Sequence, residues 1–233
     1  MSLLTAHGFR PVFAAALTFA VSGLFFGSTL KLEEEALSGL GGTRPAFFEK
    51  RAVGIAFLMF FLAFTYSGII SYIALCGEER GIANMSPFFL AYALGIVMAR
   101  LSVGKYYDVK GPHYIIVGSF VLLILSNGVL AVSSSVLPFS LGGAVFGVGY
   151  GALQPTLLAM AVKDIEPERR GAVNGTVMGA FDIGVGAGAV ILGMVASYSG
   201  YSAVYIVSAA APLIGLLVYF AGKSTKIQRG NSP

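Results

Sequence analysis

The stretch Gly171–Gly222, GAVNGTVMGAFDIGVGAGAVILGMVASYSGYSAVYIVSAAAPLIGLLVYFAG, decides the fold, because Asp182 is its one Asp, Glu, Lys or Arg. A bilayer core takes ~20 apolar residues per helix, so a stretch this long holds two membrane spans. The turn Tyr198-Ser199-Gly200-Tyr201 divides it into spans at about Gly171–Ser197 and Ala203–Gly222.

The same pattern recurs upstream. Residues 111–162 contain no Asp, Glu, Lys or Arg and hold two more spans, Tyr114–Val132 and Leu137–Val162. Shorter uncharged runs at 81–99, 52–77 and 11–30 hold one each: Pro87–Tyr106, Ala52–Cys76 and Pro11–Leu30. The expected fold is therefore all-α: a polytopic membrane protein with seven transmembrane helices. Charged residues are 11% of the chain, against about 25% in ordinary soluble domains. A soluble domain of this length needs far more polar surface than that composition supplies.

Positive charge orients the spans. Thirteen of the 15 Lys and Arg residues fall in four clusters: Lys31/Arg44/Lys50/Arg51, Arg100/Lys105/Lys110, Lys163/Arg169/Arg170 and Lys223/Lys226/Arg229. Only Arg10 and Arg80 lie elsewhere. The clusters follow the first, third, fifth and seventh spans, so the positive-inside bias places those ends in the cytoplasm and the N-terminus outside. The expected division is an outside tail and lone helix (1–30), a cytoplasmic linker (31–51), a six-helix unit (52–222) and a cytoplasmic tail (223–233). Gly39, Gly41, Gly42 and Pro45 break any helix in the linker. A cleaved signal peptide is the competing reading of the first span, but its apolar region would be shorter, ~7–15 residues.

A pI near 9.2 would point to nucleic acid in a soluble protein. Here it reflects the loop bias, and no nucleic-acid partner is expected. Cys76 lies within a span, and His7 and His113 lie outside the spans as solvated or headgroup residues. No disulfide framework, metal site or cofactor is expected.

Glycines recur at four-residue intervals in the last spans but one: Gly143, Gly147 and Gly151, then Gly171, Gly175 and Gly179, then Gly184 and Gly188. Small residues so spaced share a helix face and let backbones approach closely in lipid. Asp182 lies within the second of these helices, ~16 Å past Gly171 and near mid-bilayer. Gly175, Gly179, Gly186, Ala189 and Gly193 share its face, which is expected to turn toward neighbouring helices. An ionisable residue at that depth is costly and is either functional or paired. Two readings stay open: a proton carrier, or a protonated carboxyl pinning two helices together. Pro155 frees a backbone carbonyl one turn earlier, which a cavity or buried protein must satisfy. Tyr150 and Gln154 share a face beside it and are cavity candidates, with Tyr66 and Asn127 as weaker ones. A simple kink, or interhelical hydrogen bonding, is the plainer reading of each.

The segment Arg100-Leu-Ser-Val-Gly104-Lys105-Tyr-Tyr-Asp108-Val-Lys110-Gly111 resembles the signature loop of major facilitator superfamily transporters. That pattern is Gly, three residues, Asp, a basic residue, any residue, Gly. Gly104, Asp108 and Gly111 match, whereas Val109 stands where a basic residue is expected and Pro112-His113 replaces a basic pair. Pro167-Glu168-Arg169-Arg170-Gly171 is similar to the family's loop before its eleventh helix, and Phe181-Asp182-Ile-Gly184-Val-Gly186-Ala-Gly188 to that helix in drug/proton antiporter-like members. The resemblance implies helices six to twelve of a twelve-helix fold: a C-terminal six-helix half plus one preceding helix. It also implies that Asp108 engages the start of the sixth span.

The function so implied is secondary active transport of a small organic solute, by proton-coupled efflux, in a bacterial plasma membrane. The partners implied are the bilayer, the solute, a proton, and either an N-terminal half or another copy of the chain. No catalytic constellation and no GxxxxGK[ST] nucleotide loop is present, so an enzyme is not expected. A seven-helix receptor or sensor, and an inactive transporter fragment, are the alternatives.

Overall fold

Backbone amides have no water to bond in lipid, so an apolar chain satisfies them within helices. The computed structural model describes residues 10–29, 49–82, 84–163 and 165–230, and among these it is helical with no strands. Two compact units form, Met1–Arg44 and Pro45–Pro233. The first holds α1, Arg10–Thr29. Its hydroxyl side chains turn back onto its own carbonyls, as where Thr18 Oγ1 donates to Ala14 O at 2.8 Å, so they add no unsatisfied polar group in lipid.

Among the described residues of the second unit, a 3₁₀ turn, Lys50–Ala52, leads into α2, Val53–Glu79. Three further helices follow: α3 Ser86–Lys110, α4 Pro112–Val132 and α5 Val136–Val162. Pro87 and Pro112 occupy first helical turns, where a missing N–H costs nothing. Between α3 and α4 stands only Gly111, at φ 74 and ψ 175. A side chain would be strained there.

A 3₁₀ turn at Pro167–Arg169 leads into a helical run from Arg170 to Gly230, interrupted at Gly200 (φ 77, ψ 171). We number its limbs α6 (170–199) and α7 (201–230). The sequence reading places a four-residue turn here. The structure needs one glycine, because that backbone region is nearly closed to other residues. Five helices in the chain are long and apolar enough to cross a membrane, counted over the described residues, and the Gly200 break makes the last of them two spans. α1 is a further, shorter apolar helix. The all-α polytopic expectation holds.

Close backbone contact organises the second unit. A methyl group on Gly151 would stand 2.9 Å from Ile96 Cα, and one on Gly147 would collide with the Tyr92 carbonyl, so α3 and α5 touch backbone to backbone. Gly143 faces Phe88 in the same seam. Gly184 and Gly188 bring α6 within reach of the α2 carbonyls of Phe60 and Phe64. Gly171, Gly175 and Gly179 differ from the expectation for them: a methyl there meets nothing within 4 Å, so in this chain they pack against no helix.

Phe88, Phe120, Phe139, Phe146 and Tyr205 fill the core, and Leu90, Leu94, Met98 and Leu101 on α3 are exposed, as a lipid-facing surface requires.

Candidate functional site

The two tyrosines singled out in sequence meet. Tyr66 of α2 stacks on Tyr150 of α5 with ring centroids 4.6 Å apart and planes 18° from parallel. Tyr66 also lies 6.0 Å from the Phe181 ring of α6, and Phe146 bridges Tyr150 and Tyr92 of α3. Four helices thus contribute to one aromatic wall. One turn beyond Tyr150, Gln154 Oε1 accepts from the Arg100 guanidinium at 3.4 Å.

Lys50, Lys110, Lys163 and Arg169 fall at the ends of α2, α3, α5 and α6, which we call the basic end. Counted from there at ~1.5 Å per residue, Tyr66 lies ~20 Å deep, Tyr150 and Asp182 ~18 Å, Arg100 ~15 Å and Gln154 ~12 Å. Tyr66 and Tyr150 are therefore near mid-bilayer, whereas Tyr92, ~27 Å along α3 by the same count, lies nearer the opposite end.

Asp182 departs from the expected contact face. It is exposed, and with Gly175, Gly179 and Gly186 it forms a face of α6 open in this chain. The α6 glycines that do meet α2, Gly184 and Gly188, are rotated away from it, which is why the carboxyl pins no helix here. Among the described residues it has no ion pair or hydrogen bond.

Asn127 does not reach the wall. It is fully buried, and its Nδ2 donates to Thr65 Oγ1 at 2.9 Å and to Leu123 O at 2.8 Å. Thr65 in turn bonds Ser208 at 2.9 Å, so the network ties α2, α4 and α7 together.

The signature segment is helical rather than a loop. Arg100, Gly104, Lys105 and Asp108 all lie on α3, and only Gly111 lies beyond it. Asp108 is exposed, and among the described residues it forms no ion pair or hydrogen bond with residues 169–175, contrary to the expectation for it. The acidic partner of the α6 approach is instead Glu49, which sequence reasoning missed. Its carboxylate lies 2.5 Å from Arg169, and its backbone N–H donates to Thr176 Oγ1 at 2.9 Å. The one signal for it was a carboxylate placed just before Lys50 and Arg51.

A family model described as the Major Facilitator Superfamily matches residues 89–232, more than half of the chain. The chain belongs to the major facilitator superfamily. Membership makes it an integral membrane transport protein, acting on a small molecule rather than catalysing a reaction. The matched segment includes α3 through α7, and so carries Tyr92, Arg100, Tyr150, Gln154 and Asp182. No curated protein matches the chain.

Two further side chains of this superfamily member carry structural work. Arg80 closes the end opposite the basic one, donating to the carbonyls of Leu130, Ala131 and Ser133 and to Ser202 Oγ, and lying 5.7 Å over the Phe139 ring. His113, expected to be a solvated or headgroup residue, instead bonds Tyr219 through Nδ1 at 2.9 Å and stacks on its ring.

Proposed function

We propose that this protein is the C-terminal half of a drug/proton antiporter-like facilitator, exporting a small organic solute in exchange for protons. The observation that carries the proposal is the mid-depth wall of Tyr66, Tyr150 and Phe181, with the exposed Asp182 next in sequence to one of its members. Stacked aromatic rings suit a flat organic solute. A carboxyl without an ion pair at bilayer depth suits a group that gains and loses a proton.

Alternating access needs a second wall, since two halves rock about a shared midplane site. The open face of α6, with its small residues around Asp182, suits such a partner: a preceding six-helix half or a second copy of the chain. The proposed orientation has the basic end in the bacterial cytoplasm.

The test is proton flux in proteoliposomes loaded with a pH dye, under an imposed pH gradient, with benzoate, benzamide and benzylamine as trial solutes. Solute-dependent flux is expected once a second wall is present, from a preceding half or a second copy of the chain, and none from the chain as a monomer. Asp182→Asn should abolish it while leaving solute binding at fixed pH intact, because Asn keeps volume and hydrogen bonding but cannot ionise. Normal flux in Asp182→Asn would sink the proton-coupling role.

A further inference from the structure

We infer that Arg100 is the anchor for the charged group of the solute, and that the solute is an organic anion, a carboxylate on a flat apolar body. The inference rests on the transport reading above and deepens it. Arg100 lies ~15 Å along α3 from its end, about a turn and a half inside Lys105. Its guanidinium reaches across to Gln154 on α5, beside the wall.

Arginine offers five N–H donors and stays protonated. Among the described residues Gln154 is the one hydrogen-bond acceptor it meets, at a weak 3.4 Å, and no carboxylate forms an ion pair with it. A cation at this depth without a counter-charge is costly. Asp108, two helical turns further along α3, stays unattached to it, and Arg80 shows how an arginine in this fold is otherwise satisfied, with four acceptors.

The surroundings select among anions. Tyr150, one turn from Gln154 on α5, carries the ring that stacks on Tyr66 at 4.6 Å. A carboxylate bridging the guanidinium fork and the Gln154 amide would leave the body of the solute against the stacked rings. The planar fork favours bidentate carboxylate over a point-charge contact.

Equilibrium binding to the purified chain in phosphatidylcholine nanodiscs tests this, with benzoate, neutral benzamide and cationic benzylamine as probes. Benzoate should bind at least tenfold tighter than benzamide. Arg100→Gln should erase that preference, Arg100→Lys should keep part of it, and Gln154→Leu should weaken benzoate severalfold. Unchanged chromatographic behaviour and melting temperature mark the variants as folded. Equal affinity for the three probes, binding indifferent to Arg100→Gln, or no binding of benzoate would each overturn the inference. A second set of nanodiscs contains phosphatidylglycerol. Loss of benzoate binding there would assign Arg100 to a lipid headgroup and overturn it too. Proton flux driven by benzamide or benzylamine would leave the transport reading standing while the anion anchor fails.

Discussion

At the residue scale, the chain puts its polar side chains to two different uses at similar depth. Asn127, Thr65 and Ser208 are fully buried and hydrogen-bonded in one chain through Asn127 Nδ2, whereas Arg100 and Asp182 stand exposed with little or nothing bound to them. Asn127→Leu should therefore lower the melting temperature in detergent by an amount equivalent to about 1–2 kcal/mol, the scale of interhelical hydrogen bonds in lipid. Ligand binding at the wall should survive it. Loss of binding at unchanged stability would move Asn127 back among the cavity residues. Sequence put Tyr150 with Gln154 on one face and ranked Tyr66 and Asn127 together as weaker cavity candidates, with nothing to show that Tyr66 meets Tyr150 and Asn127 does not. Helical spacing gives the face a residue occupies. Whether that face meets solute or another helix depends on how the helices are rotated. Arg100 was read as part of a loop because it clusters with Lys105 and Lys110. The clustering was real, but the helix outlasts it by reaching Lys110.

At the element scale, glycine spacing alone did not reveal which stripes are seams. The stripes at Gly143/147/151 and Gly184/188 meet helix backbones, while Gly171/175/179 open onto empty space with the same four-residue interval. Two substitutions separate the cases. Gly151→Val should cost several kcal/mol or prevent folding, since even a Cβ would stand 2.9 Å from Ile96 Cα, an overlap well beyond ordinary core overpacking of ~1–3 kcal/mol. Gly175→Ala should leave the melting temperature of this chain unchanged or raise it by the ~0.5–1 kcal/mol by which Ala outranks Gly in helices. Thermal unfolding followed by circular dichroism would read both. A strongly destabilised Gly175→Ala would mean that its face is packed in the isolated chain. The span boundaries, by contrast, were legible in sequence to within a few residues except at the last, where the helix runs on to Gly230, because removal of charge from ~20-residue windows is a direct demand of the bilayer.

At the scale of the whole molecule, charge placement and packing concur on one end. Lys50, Lys110, Lys163 and Arg169 sit where helices enter and leave, and Glu49 with Arg169 closes α2 onto α6 there. After removal of the buried Cys76 thiol by Cys76→Ala, single cysteines at Lys110→Cys and Lys163→Cys should label with an impermeant maleimide from the same side of the membrane. Ser199→Cys should label from the other side. In cells the first two should be shielded until the membrane is opened, and labelling of Lys110→Cys in intact cells would reverse the orientation. The junction at Gly200 also bears on how the protein is made. One residue between α6 and α7 leaves no polar loop to carry across the bilayer, so the pair can leave the insertion machinery as a single helical hairpin as the ribosome completes it. In that passage Asp182 is the one Asp, Glu, Lys or Arg between residues 171 and 222. A neutral, protonated carboxyl crosses most readily, so the residue proposed to move protons in the finished protein also adds a cost to its membrane insertion.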